Sequence, residues 1–248
     1  DGSPQGKTAY LTEPYYKPPH NESKSYKGYP LIPQTEVSEW VKKYADLNIP
    51  IMAHANGDAA ADMLIKAVKK AEIESDHRTI MIHAQTVRED QLDLMKELEI
   101  IPSYFSTHTF YWGDWHRDSV FGVDRAMRIS PTKSTLDRDM PFTVHNDAPV
   151  VPPDMIRLLW SSTNRITRSG KILGDQQKIS TYDALKAMTL NAAYQHFEDD
   201  IKGSIEVGKL ADLVVLSEDP LAMPAASLLN LKVIATYSHG KEIFKATK

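Results

Sequence analysis

Apolar positions recur every three to four residues over 36–48, where Val37, Trp40, Val41 and Tyr44 form one stripe, so the spacing predicts a helix. The same period returns over 58–72 through Ala60, Met63, Leu64, Ala67, Val68 and Ala71, and over 88–98 through Leu92, Met95 and Leu98. Between these helices lie short apolar runs: Ile49–Ala53 ending in His54, Thr79–Ile82 ending in His83, and Ile100–Phe105. A fourth run, Phe142–His145, stops at Asn146-Asp147. Strands near 49–54, 79–83, 100–105 and 142–146 that alternate with helices imply a parallel sheet in sequential order, with its faces covered.

The flanks differ. Residues 1–35 hold Pro4, Pro14, Pro18, Pro19, Pro30 and Pro33 without a sustained period, which predicts a long loop. Helical spacing resumes over 154–167 and 181–197. Beyond Gly203 come short apolar runs at 213–216, 233–237 and 242–244, with Ser238-His239-Gly240-Lys241 as a hairpin turn, so an antiparallel segment is expected there. The expected division is a loop over 1–35, an α/β unit over 36–202 and β-strands over 203–248.

Composition narrows the class. The chain has 248 residues, 42% of them hydrophobic and 25% charged, which is enough for a sizeable core. A net charge of −4 with scattered basic residues argues against a nucleic-acid partner. No apolar run approaches the roughly 20 residues of a membrane-crossing helix. With no cysteine, thiolate metal sites and a cysteine nucleophile are excluded. Asp1 is followed by no signal-peptide pattern, but a targeting segment would lie upstream, so the compartment stays open, with the cytoplasm favoured.

His54, His83 and Asp147 each close a predicted strand. In a (β/α)8 barrel the C-terminal strand ends form the catalytic rim, so three such residues can converge on one point. Histidine nitrogen with carboxylate oxygen suits a divalent metal such as zinc. Set against this, a single histidine among nine is more often structural, and spacing alone leaves the two readings about even. His108 is either a substrate contact or a loop histidine. His145 shares the strand face of Asp147 and is a further inward-pointing candidate. His77, His116, His196 and His239 read as surface or turn residues. The run Phe110–Trp115 is either an aromatic lid or loop packing, and Asp1-Gly2-Ser3 reads as a plain turn.

Three segments, His54-Ala55-Asn56-Gly57-Asp58-Ala59-Ala60, Ile82-His83-Ala84-Gln85 and Asn146-Asp147-Ala148-Pro149-Val150, resemble metal-site motifs of the amidohydrolase superfamily, in the YtcJ-like branch that includes N-substituted formamide deformylases. Thr189-Leu190-Asn191-Ala192-Ala193 and the run Gly203–Val215 resemble the family's C-terminal segment, and Asp1-Gly2-Ser3 resembles the turn after its fourth barrel strand. The resemblance implies units five to eight of a TIM-type barrel plus part of a small β-sandwich. It also implies one or two divalent ions, most often zinc, and water attack on an amide-like C–N bond of a small molecule. His54 and His83 correspond to the fifth- and sixth-strand ligands. Asp147 corresponds to the eighth-strand carboxylate, which binds metal and shuttles the proton.

Two departures bear on this. The family's His-x-His pair occurs nowhere in the chain, and its fourth-strand bridging ligand would precede Asp1. The chain is therefore expected to be the C-terminal part of a longer enzyme, inactive alone, with the N-terminal half as its partner. Asn146, preceded by His145, stands where members commonly place a small residue directly before the eighth-strand aspartate, which makes the local pocket more polar and leaves the substrate class open. The competing readings are a half-barrel that binds or assembles without turnover, and a self-sufficient three-ligand hydrolase. An incomplete barrel leaves free edges near 49–54 and 142–146, to be met by a second copy or by the 1–35 segment.

Overall fold

A computed structural model describes residues 1–247. Residues 1–33 form turns and extended stretches without helix or strand. Helix α1 (Gln34–Asp46) leads to strand β1 (Met52–Ala55), then α2 (Asp58–Ala71), β2 (Ile80–His83), α3 (Glu89–Glu97) and β3 (Ile101–Tyr104). Helix α4 (His108–Trp115) continues as a π-helical turn over His116–Val120. The short helices α5 (Val123–Ala126) and α6 (Thr132–Leu136) precede β4 (Thr143–Val144). Helices α7 (Met155–Asn164), α8 (Thr181–Met188) and α9 (Leu190–Gln195) lead to β5 (Leu213–Leu216), β6 (Val233–Ser238) and β7 (Lys241–Lys245).

Strands β1 to β4 form one parallel sheet in sequential order, with Ala55 paired to His83 and Tyr104 to Val144. Strands β5 to β7 form a separate antiparallel sheet, so the molecule is a mixed α/β fold with both sheets in the expected places. The central strand β2 is the most apolar, and its Ile80 and Met81 are buried. The alanines of α2 (Ala60, Ala61, Ala67 and Ala71) are buried with Leu64, Ile65 and Val68 in the main core, which their small side chains allow the helix to approach closely. A second cluster joins Ala9, Leu11 and Tyr15 to Val120, Phe121 and Ile129, and so ties the N-terminal segment down.

Two expectations about the middle of the chain need correction. The aromatic run after β3 is helix rather than loop, because it holds no proline, and Gly113 has room only for a hydrogen where Thr167 packs 2.7 Å from its would-be Cβ. Its aromatic side chains pack on the scaffold, Phe110 against Trp160 and Trp112 against Phe105. His116 is fully buried instead of lying at the surface, since the continuing helix turns it inward.

Strand β1 has β2 as its only strand partner among the described residues. Beside it, α1 and Pro30–Ile32 wall a groove of about 710 Å³ whose lining includes Trp40, Met63, Asp1 and His54. The N-terminal segment reaches the end of β1 without adding a strand to its edge.

Candidate metal centre

The parallel sheet delivers four polar side chains to one end. His54 is the third residue of β1 and His83 the last of β2, while His145 and Asp147 follow β4. Parallel strands in sequential order point the same way, so their C-terminal ends are neighbours. His83 and Asp147 both lie at positive φ, 71° and 56°, and Ala84 follows at 46°. That left-handed turn is costly for residues other than glycine, and such outliers concentrate at functional sites.

The compact group is His83, His145 and Asp147, each of which offers a nitrogen or oxygen within 4.8 Å of the others. His83 Nδ1 lies 3.3 Å from His145 Nε2. Two ligands on a tetrahedral zinc ion, with bonds of about 2.0–2.1 Å, stand about 3.3–3.4 Å apart, so the pair fits the ion. Burial, with a smaller contribution from neighbouring histidines, pulls the pKa of His83 down to about 3 and that of His145 to about 4. Both rings are therefore neutral near pH 7, the form that ligates a metal. Burial pushes the Asp147 carboxyl up, and His54 opposes that shift.

Hydroxyl groups orient His145. Its Nδ1 lies 2.8 Å from Ser103 Oγ, which in turn lies 2.8 Å from Thr143 Oγ1. A ring that donates from Nδ1 to Ser103 leaves the Nε2 lone pair facing His83. The pattern of residues flagged His145 only as an inward-pointing candidate, and its strand-face parity with Asp147 was the signal.

His54 sits at the border of this group. Its ring meets His83 edge-on, with centroids 4.6 Å apart. Its Nδ1 lies 3.3 Å from Asp1 Oδ1 and its Nε2 3.3 Å from Asn56 Nδ2, so both nitrogens have polar neighbours. Asp1 does much more than turn the chain. Its buried carboxylate accepts from the backbone N–H groups of Tyr10, Asn56 and Gly57 at 2.7–3.0 Å, at the start of α2 where the helix dipole favours a negative charge. Gly57 is required there, because a Cβ would lie 1.8 Å from the Tyr10 carbonyl oxygen. No local sequence signal marks Asp1, since its partners lie 9 to 56 residues away.

His108 is buried on the first turn of α4, with its ring 4.2 Å from Phe105 and 5.8 Å from His83, centroid to centroid. Burial holds it far below the usual histidine pKa, so it too is neutral. Its Nδ1 has no partner, and neither has Oδ1 of Asn146, which lies between His145 and Asp147. Buried polar atoms without partners are rare and mark places that water, an ion or a substrate completes.

A sequence profile of the amidohydrolase family matches residues 1–244. The chain belongs to that family. An N-substituted formamide deformylase of Arthrobacter pascens is 26% identical over 228 residues, which are 89% of this chain and 41% of the relative. The amidohydrolase YtcJ of Bacillus subtilis is 25% identical over 251 residues, covering 99% of this chain and 46% of that protein. Among solved structures, a metal-dependent hydrolase of Pyrococcus furiosus superposes with a TM-score of 0.75 at 27% identity, over 89% of this chain and 43% of its own. The chain thus spans less than half the length of these relatives.

Proposed function

We propose that this chain forms the C-terminal part of a metal-dependent amidohydrolase that cleaves an amide-like C–N bond, with an N-substituted formamide as the model substrate. The observation that carries the reading is the set of His83, His145 and Asp147 atoms within 4.8 Å, in a member of a hydrolase family. His83, His145 and Asp147 would hold the ion, and His54 would join them when freed from Asp1 and Asn56. A divalent ion held there, zinc by donor type, would supply Lewis-acid polarisation of the carbonyl and a lowered pKa for its water. Asp147 accepts the proton of the attacking water and returns it to the departing amine. Its half-buried setting, which raises its pKa, suits both halves of that exchange. His108, whose ring lies beside that of His83, would contact the substrate.

The N-terminal half of the same protein is the partner. The open edge of β1 and the apolar groove beside it support a barrel completed by further strands, with this chain as units five to eight. Residues 1–35, 36–202 and 203–248 would then be the connecting loop, the half-barrel and part of a composite β-sandwich.

The test is hydrolysis of N-substituted formamides, with added zinc, by the full-length protein, by this chain, and by this chain mixed with a separately expressed upstream half. Activity in the first and third, abolished by Asp147→Ala, supports a split active site. Equal turnover by this chain alone overturns the division of the site. Zinc binding without turnover in every arm favours a binding or assembly module.

A further inference from the structure

We propose that Gln85 and His116 are positioning residues that set which ring nitrogen of His108 carries its proton, so that His108 presents an N–H to the substrate rather than a lone pair. This rests on the reading that His108, beside His83, contacts the substrate.

The inference starts from unmet hydrogen bonds. Among the described residues eleven buried side-chain atoms lack a partner, and seven of them belong to the stretch 106–116, to Gln85 beside His116, and to Ser130, which bonds Gln85. A buried polar atom without a partner is costly unless something completes it, and two of these atoms belong to facing histidine rings. His108 and His116 are both fully buried, with ring centroids 5.7 Å apart and planes nearly perpendicular. Eight positions separate them along α4 and its π-helical turn, and Trp112, midway between, packs 5.6 Å from His108. Local π-helix is often found at functional sites, where it re-aims a side chain.

The proton order follows from donor chemistry. Gln85 Nε2 lies 3.4 Å from His116 Nδ1, and an amide nitrogen only donates. His116 Nδ1 therefore accepts, and a neutral ring then carries its proton on Nε2. That Nε2 has no partner, and the unmet atom on the facing ring is His108 Nδ1. Joined directly or through one internal water, the Nε2–H of His116 satisfies the lone pair of His108 Nδ1. The proton of His108 is then confined to its own Nε2, as a donor for a substrate carbonyl oxygen and for the negative charge that grows there. Gln85 is itself anchored, since its backbone carbonyl accepts from Ser130 N–H at 2.7 Å.

Long-range nitrogen–proton NMR on ¹⁵N-histidine-labelled full chain reads the protonated nitrogen of each histidine directly, with His108 assigned by its loss in His108→Asn. Wild type is expected to show His108 protonated at Nε2. His116→Phe and Gln85→Leu are each expected to give a mixture of the two forms, and His116→Gln, whose amide N–H can replace the donor, to restore the first. Amide spectra report whether each variant folds, and Gln85→Leu with His116→Gln decides the matter if His116→Phe does not. Protonation of His108 at Nδ1 in wild type, or retention of the Nε2 form when its neighbours are changed, overturns the proposal. The readout needs neither metal nor turnover. Failure of the hydrolase reading would show separately, as loss of zinc binding at His83, His145 and Asp147.

Discussion

His116 shows how burial changes a residue's chemistry. Desolvation brings its pKa down to about 3, whereas an unfolded chain titrates it near 6.5. The unfolded state therefore binds more protons between these values, and stability is lost as pH falls below about 6.5 toward 3. Within this window each such histidine contributes a slope of about 1.4 kcal/mol per pH unit. Urea denaturation at pH 7 and pH 5 is expected to show a marked fall in midpoint, and a smaller one in His116→Phe. Ser103 acts on the metal ligand it orients. Ser103→Ala is expected to weaken zinc binding by about 10–100-fold, measured by competition with a chromogenic chelator, while the fold is kept. An unchanged affinity would show that His145 needs no such support.

Elements meet through a few polar anchors. Arg165, at the C-terminal end of α7, is fully buried and donates to the carbonyls of Leu173, Ser130 and Ile129 at 2.6–3.2 Å. It thereby joins the α7 end to the segment before α6. Arg165→Met keeps most of the volume and strands three carbonyls, with an expected loss of at least about 3 kcal/mol in chemical denaturation. Gly57 locks β1, α2 and the N-terminal segment together. Gly57→Ala is expected to destabilise by about 1–3 kcal/mol, because the obstacle is the rigid Tyr10 carbonyl instead of a side chain that can swing away. The strands and helices themselves were legible from periodicity. The helix at 108–115 was not, because a run of aromatics carries no amphipathic stripe, and its burial on several sides comes from neighbours distant in sequence.

Two apolar surfaces of the molecule stand uncovered. One is the groove beside β1, with Leu31, Trp40, Tyr44, Ile49 and Met52 exposed, and the other is the small sheet, where Val214, Val215, Ile243 and Phe244 are exposed. Patches of this extent mark interaction surfaces. An unpaired strand edge at the groove adds backbone groups to be satisfied. Binding of a hydrophobic dye to this chain is expected to be strong and to fall when the upstream half is added, together with slowed amide exchange at Met52–Ala55. Dye binding unaffected by that half would place its contact elsewhere. Among the described residues no helix is long and apolar enough to cross a membrane.

Local pattern was enough for the order of the elements, the parallel sheet, the antiparallel tail and the strand-end positions of His54, His83 and Asp147. Each of these depends on side-chain period and short connections, which neighbouring residues encode. The partners of those side chains were not legible. That His145 closes on His83, that Asp1 binds the start of α2, and that His116 is sealed behind His108 depend on distances between segments 8 to 62 residues apart. Periodicity says which face a residue takes, and only packing says what that face meets.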